Sequence, residues 1–256
     1  MRKRKRRNKR IRKPIITHHR IGVKPYHRFS KSARALRREL NLARYNENHT
    51  YDYLFNWGSQ RQDNNAKYTF NKESCIVNSS DKVKAFKLFE ENSIRVPKWT
   101  TSMYEAKAFV FPVMCRVNRL RGGNGIHIAM SEEDLVSADF FTEFIQPKEE
   151  FRVQVFRDEV MAWSKKIPKG EYSNKYIRNH DKGYKFSLGD NSRIFSKLEE
   201  FSVGAVKALG LDYGAVDVVL GVNGRFYVLE VNTAVGMEGT ILKAYTNKFL
   251  EVARYG

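Results

Sequence analysis

The chain has 256 residues, 41% of them hydrophobic, with 47 Lys and Arg against 28 Asp and Glu for a formal net charge of +19. That is enough for one two-lobed domain or two small ones. No apolar run approaches a membrane span and no apolar stretch follows the basic start, so a soluble, cytoplasmic protein without a secretory signal is expected. The two cysteines, Cys75 and Cys115, give no metal spacing and no disulfide framework, and nothing sets an oligomeric state.

The basicity is local. Residues 1–44 hold 18 Lys/Arg and one acid, Glu39, whereas residues 45–256 hold 29 basic and 27 acidic residues. Residues 1–20 form an arm with ten basic residues in the first thirteen and nothing to bury, predicted to be disordered. Such an arm suits nucleic acid or another anionic partner; the plain alternative is a solubilising tail.

Residues 21–78 read as a short βαβ subdomain. IGVKPY (21–26) is predicted as a strand, Ser30 as the cap of a helix to about Leu42, and YDYLFNWG (51–58) as a second strand. CIVN (75–78) is expected to be a short strand, and Ser80 or Asp81 to cap a helix through Phe89. From 79 onward a second unit is expected, with a small lobe over about 104–141 and a large one over about 142–256. Strands at 109–118 and 126–130 flank the loop RLRGGNG (119–125), whose spacing matches no strand-to-helix phosphate loop. SEEDL (131–135) carries a capping-box pair, Ser131 and Asp134, and is predicted to open a helix.

FTEFI (141–145) is a further strand, and 150–156 with 160–166 a hairpin turning at Arg157-Asp158-Glu159. Residues 168–191 are irregular, and a loop of that length is uncommon unless it has a task. A helix over 193–210 stops at Gly210, and a last one begins near Gly239.

Between those helices lies AVDVVLGVNGRFYVLEVN (215–232), where Asn223-Gly224 predicts a two-residue type I′ hairpin. That register sets Asp217 opposite Glu230, with Asn232 on the same side. Val219, Gly221, Phe226 and Val228 complete that face; Val216, Val218, Leu220, Leu229 and Val231 form the other. Two carboxylates and an amide on an apolar patch suit magnesium, which takes oxygen ligands and shares them with phosphates. The competing reading is a strand end whose acids point into water.

Taken in order, these residues resemble the ATP-grasp superfamily over roughly 79–240. The resemblance covers its carboxylate–amine ligases, above all the branch that adds glutamate to proteins and, more distantly, D-alanine–D-alanine ligase. It implies an α+β fold whose two lobes, with antiparallel sheets, clamp ATP. It also implies one or two magnesium ions on Asp217, Glu230 and Asn232, with Glu230 bridging. The adenine hinge would be Glu143-Phe144-Ile145, and Glu150 the ribose acid. Lys82 would be the first phosphate lysine, and the stretch from Arg121 through Gly122, Gly123 and Gly125 the flap over the phosphates. In YSNKYIRNHDKG (172–183), Lys175, Arg178 and Asn179 would act near the γ-phosphate.

Two departures stand out. Arg116 takes the place of the usual lysine before the flap, and Ala215 that of the arginine which holds a D-amino-acid carboxylate. The resemblance implies ATP plus a carboxylate and an amine, peptide or protein acceptors included, joined through an acylphosphate with Arg116, Arg178 and Asn179 as catalytic groups. The alternatives are an ATP-grasp kinase and a nucleotide- or nucleic-acid-binding protein without ligase activity. A short front subdomain and a basic arm fit a phage- or virus-borne enzyme in a host cytoplasm.

Overall fold

The computed structural model describes residues 19–62, 64–118, 125–170, 174–178, 182–189 and 196–255. Nearly all of the basic arm and most of the Gly-rich loop lie outside the described residues. Strand β1 (Ile21–Pro25) buries Ile21 and Val23 and leads into helix α1 (Lys31–Glu39), whose N-terminus is capped by Ser30 Oγ accepting from the Ala33 N–H at 3.3 Å. Ala33 and Leu36, on one helical face, pack it against β1. Strand β2 (Tyr51–Trp57) then pairs in parallel with β1, and β3 (Ala66–Phe70), which the sequence reading missed, pairs in parallel with β2.

The segment expected as the strand CIVN is helical. It lies in α2 (Glu73–Ser80), which meets α3 (Lys82–Glu91) at an extended Asp81. The β-branched pair Ile76-Val77 suggests a strand, but Ile76 is buried in the core, Cys75 packs beside it, and the helix lies against β12. Asp81 serves as the cap, accepting from the Lys84 N–H.

A small sheet follows: β4 (Trp99–Thr100), a single helical turn α4 (Met103–Ala106), β5 (Val113–Arg116) and β6 (Ile126–Ala129), closed by β7 (Phe140–Glu143) in the order β4-β7-β5-β6. The helix expected from SEEDL is one 3-10 turn, Glu132–Asp134; its capping box forms, but no apolar stripe follows to extend it.

The large antiparallel sheet has the order β10-β9-β8-β11-β12. Its members are β8 (Pro147–Phe156), β9 (Glu159–Pro168), β10 (Tyr184–Leu188), β11 (Tyr213–Gly221) and β12 (Phe226–Asn232). Strand β10 lies inside the stretch expected to be irregular. Helix α5 (Ser196–Ala208) covers one face with α2 and α3, burying Val153, Val155, Val216, Val218 and Val228. Helix α6 (Gly239–Tyr255) and the subdomain cover one end of the opposite face. There Trp57, Tyr213, Tyr245 and Phe249 stack into an aromatic core, and Tyr213 donates its hydroxyl to the Asn56 carbonyl at 2.8 Å.

A buried amide adds to the ties between the subdomain and this sheet. Asn71 Oδ1 accepts from the Asp212 and Tyr213 N–H groups at 2.7 and 3.1 Å, and its Nδ2 donates to the Tyr213 carbonyl at 2.8 Å. Asn71 has φ +57°, a conformation that asparagine tolerates better than most residues. N71A strands two donors and an acceptor and should cost on the order of 3 kcal/mol, read as a lower urea midpoint. A midpoint equal to wild type would show that the tether contributes nothing.

Candidate active site

The hairpin that carries Asp217 and Glu230 reaches the expected pairing by a different route. Asn223 does not adopt positive φ; only Gly224 does, at +73°. The loop is three residues long, closed by Gly221 N–H donating to the Arg225 carbonyl at 2.9 Å. The longer loop slips the register by one, pairing Val218 with Val228 and Leu220 with Phe226. A β-bulge at Leu229 restores it, so Asp217 still faces Glu230 and Ala215 faces Asn232. The correction has a chemical consequence. Phe226 and Val228 turn into the α5 core, and Leu229 instead joins Glu230 on the site face, where it lines the cleft with Val219.

Asp217 is 5% exposed and held by a bidentate contact from Arg152, Nε and Nη2 each donating at 2.6 Å. Burial alone would raise the Asp217 carboxyl; Arg152 overrides it and holds it below the usual range. Burial likewise opposes the Arg152 charge, and Asp217 more than compensates, raising that guanidinium above its ordinary value. Asn232 Nδ2 donates to Glu230 Oε1 at 2.9 Å, which orients the second carboxylate.

Beside them Lys166 binds Glu150, and Arg178 Nε stands 3.6 Å from Glu150 Oε2. Burial lowers the Lys166 ammonium, while Asp217 and Glu230 pull it back up. Burial also lowers Arg116, again with Glu230 acting the other way. Among the described residues, Arg178 Nε and Nη1 are buried with no hydrogen-bond partner. Leaving such donors without a hydrogen bond is costly.

One cleft between the two sheets gathers Lys82, Arg116, Glu143, Phe144, Ile145, Glu150, Arg178, Asp217 and Glu230. Met114, Ile126, Val219 and Leu229 give it apolar walls. Glu143, Phe144 and Ile145 line the cleft together, and the Glu143 carboxylate accepts from the Val110 N–H at 3.1 Å. Lys82 begins α3, its N–H donating to Asn118 Oδ1 at 2.9 Å. Asn232 supports the cleft without lining it, and Lys175 sits over the Tyr176 ring at 5.5 Å instead. Gly125 accepts from the Val117 N–H at 2.9 Å at the base of the β5–β6 loop. Arg121, Gly122, Gly123 and Asn179 lie outside the described residues.

Sequence reasoning missed Lys166, Tyr176 and the clamp from Arg152. The signal for Lys166 was ambiguous: the β8–β9 register shifts between Gln154 and Val155, so Lys166 meets Glu150 and Lys165 meets Glu149 at 2.5 Å.

With this geometry in hand, comparison with known proteins is decisive. Residues 79–255 match the family model of the RimK-like ATP-grasp domain. The chain belongs to that family, whose members here are ATP-dependent ligases joining carbon to nitrogen. It is 25% identical over 208 residues to the coenzyme gamma-F420-2:alpha-L-glutamate ligase of Methanococcus maripaludis, covering 73% of this chain and 70% of that protein. It is 26% identical over 192 residues to a probable alpha-L-glutamate ligase of Haemophilus influenzae, covering 67% of this chain and 61% of that one. In fold it is similar to the ATP-grasp ligase PsnB complexed with a minimal precursor, with TM-score 0.68 at 13% identity over 91% of this chain and 97% of that one. D-alanine–D-alanine ligase from Bacillus anthracis gives 0.65 at 16% identity over 90% and 92%. Among the described residues no helix is long and apolar enough to cross a membrane.

The Arg152–Asp217 pair generates a prediction with a definite sign. With its folded pKa depressed, Asp217 stabilises the wild type above its unfolded value of 3.8, and that contribution is lost as pH falls through the folded value. R152M leaves a buried carboxylate short of its partner, should cost roughly 3–5 kcal/mol, and lets burial raise Asp217. In metal-free buffer R152M should therefore lose stability relative to R152M/D217N as pH rises from about 4 to about 7, read from urea midpoints. Parallel pH profiles for the two variants would contradict this.

Proposed function

We propose that the chain is an ATP-dependent carboxylate–amine ligase that works through an acylphosphate on a peptide or protein acceptor. One observation carries this: an opposed carboxylate pair, Asp217 and Glu230, shares a cleft with Lys82, Arg116 and Lys166, and with Arg178, whose buried Nε and Nη1 have no hydrogen-bond partner among the described residues. Carboxylates on one side and unmet cationic donors on the other suit a metal-bound polyphosphate. The donor set of two carboxylates and an amide fits magnesium, and Asp217, Glu230 and Asn232 would hold one or two ions. Bound there, magnesium would screen charge on the phosphates.

In this reading the backbone of Glu143, Phe144 and Ile145 reads the adenine and Glu150 accepts from the ribose. Lys82, Arg116 and Arg121 grip the phosphates, with Gly122, Gly123 and Gly125 allowing the flap to close over them. Lys175, over the ring of the cleft-lining Tyr176, would join that grip by turning inward. Arg178 and Asn179 orient the γ-phosphoryl group. An acceptor carboxylate oxygen attacks the γ-phosphorus as its bond to the bridging oxygen breaks, releasing ADP. An amine then attacks the acyl carbon, phosphate leaves with the bonding pair, and the new amide nitrogen loses a proton. Arg116 reaches with a planar fork where lysine would offer a point charge, so it can hold two phosphate oxygens at once.

E230Q keeps the shape of the site but removes one of its two facing charges. It should lower ADP release by roughly a hundredfold or more while the fold is retained, and near-normal turnover would overturn the metal assignment. Calorimetric titration gives an independent reading. Wild type should bind ATP more tightly with magnesium than without, and D217N should lose that difference. Product analysis completes the test, since an amide with ADP and phosphate supports the ligase reading, whereas a stable phosphoester would replace it with phosphoryl transfer alone.

A further inference from the structure

Strand β10, at the edge of the large sheet, sets two aromatic rings on the face that carries the site. Tyr184 and Phe186 alternate along it and so point the same way, and Phe186 pairs with Lys166, which lines the cleft. Each ring meets a cation already placed at the site. The Arg178 guanidinium carbon lies 4.8 Å from the Tyr184 ring centre, and Arg152 and Lys166 lie 4.4 and 5.6 Å from that of Phe186. At these distances the negative face of a ring attracts a cation.

Tyr184 serves the fold: it is buried and donates its hydroxyl to the Asn174 carbonyl at 3.0 Å. Phe186 does not. It is 42% exposed and, among the described residues, joins none of the buried apolar clusters. Its neighbours are instead the two cations that hold acids, Arg152 on Asp217 and Lys166 on Glu150. Arg152 lies two strands away. Between them on β9 stands Ser164, opposite Arg152 in the register, and this side chain is small and buried. The guanidinium and the ring therefore meet across it. A guanidinium offers its edge to a carboxylate and its face to a ring, so Asp217 and Phe186 can hold Arg152 together.

We infer that Phe186 is a positioning residue whose ring seats Arg152 on Asp217 and so fixes that carboxylate for magnesium, a last step that rests on the ligase reading. Asp217 faces a second carboxylate, and two such oxygen ligands share an ion well only when both keep their places. Leucine at 186 would fill most of the same space without the negative face. Phe186 does not itself line the cleft, so what it contributes to binding passes through the cations it touches.

Two measurements test this. Urea midpoints of metal-free wild type, F186L, R152Q and F186L/R152Q form a double-mutant cycle that needs no nucleotide. F186L should lower the wild-type midpoint and shift that of R152Q by less than about half as much, because the ring has lost its partner there. Equal shifts in the two backgrounds would overturn the proposal. Calorimetric ATP titration uses only single substitutions on the exposed edge, and so stands even if R152Q fails to fold. With magnesium, F186L should bind ATP about fivefold more weakly than wild type; without magnesium, it should stay within about twofold. F186Y keeps the ring and should match wild type in both buffers. Wild-type affinity for F186L with magnesium, equal losses in both buffers, or a loss in F186Y as large as that in F186L would each overturn the proposal. A wild type that binds no ATP would strike at the ligase reading instead, and the urea cycle would still decide whether Phe186 seats Arg152.

Discussion

Two carboxylates set opposite each other on a half-buried sheet repel unless positive charge comes between or beside them. The large sheet meets that demand from its own strands. Arg152, on the neighbouring β8, lies directly across from Asp217 in the β8–β11 register and clamps it with two hydrogen bonds. One row further along, Lys166 on β9 meets Glu150 on β8. Charges of alternating sign thus cross the sheet, each held by a partner on the next strand. Buried pairs of this kind often stabilise a fold no more than apolar side chains of equal volume would.

That face does two jobs along the same strands. At one end Tyr213 and Ala215 of β11 and Phe156 of β8 belong to the aromatic core beneath α1 and α6; two residues beyond Ala215, Asp217 lines the cleft, held there by Arg152 of β8. Gln154 marks the border, its Oε1 accepting from the Tyr245 hydroxyl at 2.9 Å. The proposed site groups therefore project from strands whose opposite ends are locked in packed aromatic rings. Side chains placed this way hold their positions better than they would on loops.

The small sheet contributes from the other side. Arg116 ends β5 and Glu143 ends β7, and the two strands pair with each other, so one sheet carries both Arg116 and the proposed adenine hinge. Asn118 joins this sheet to α3: it accepts from the Lys82 N–H, and its Nδ2 donates to Asp81 Oδ1 at 2.9 Å. One side chain thus sets the spacing between Lys82 and Arg116 across the cleft.

Much of this was legible in the chain itself. Hydrophobic spacing marked α1, α5 and α6, Ser30 and Asp81 capped helices as expected, and the alternation of β11 and β12 put Asp217, Glu230 and Asn232 together. These are local facts: a helix face or a strand face repeats over a few residues and is written in sequence order. The errors arose where distant packing overrode local preference. Ile76 and Val77 have strand character yet lie in α2, because the core there needed a helix against β12. Strand β10 was invisible because only its pairing with β9 makes Tyr184–Leu188 extended. By itself the sequence determined which residue types face one another near the hairpin. The bulges at Leu229 and beyond Gln154 then decided which individuals meet: Leu229 rather than Val228 in the cleft, and Lys166 rather than Lys165 on Glu150. A one-residue slip exchanges the two faces of a strand, and its cost is set by the core on the far side, which no local pattern records.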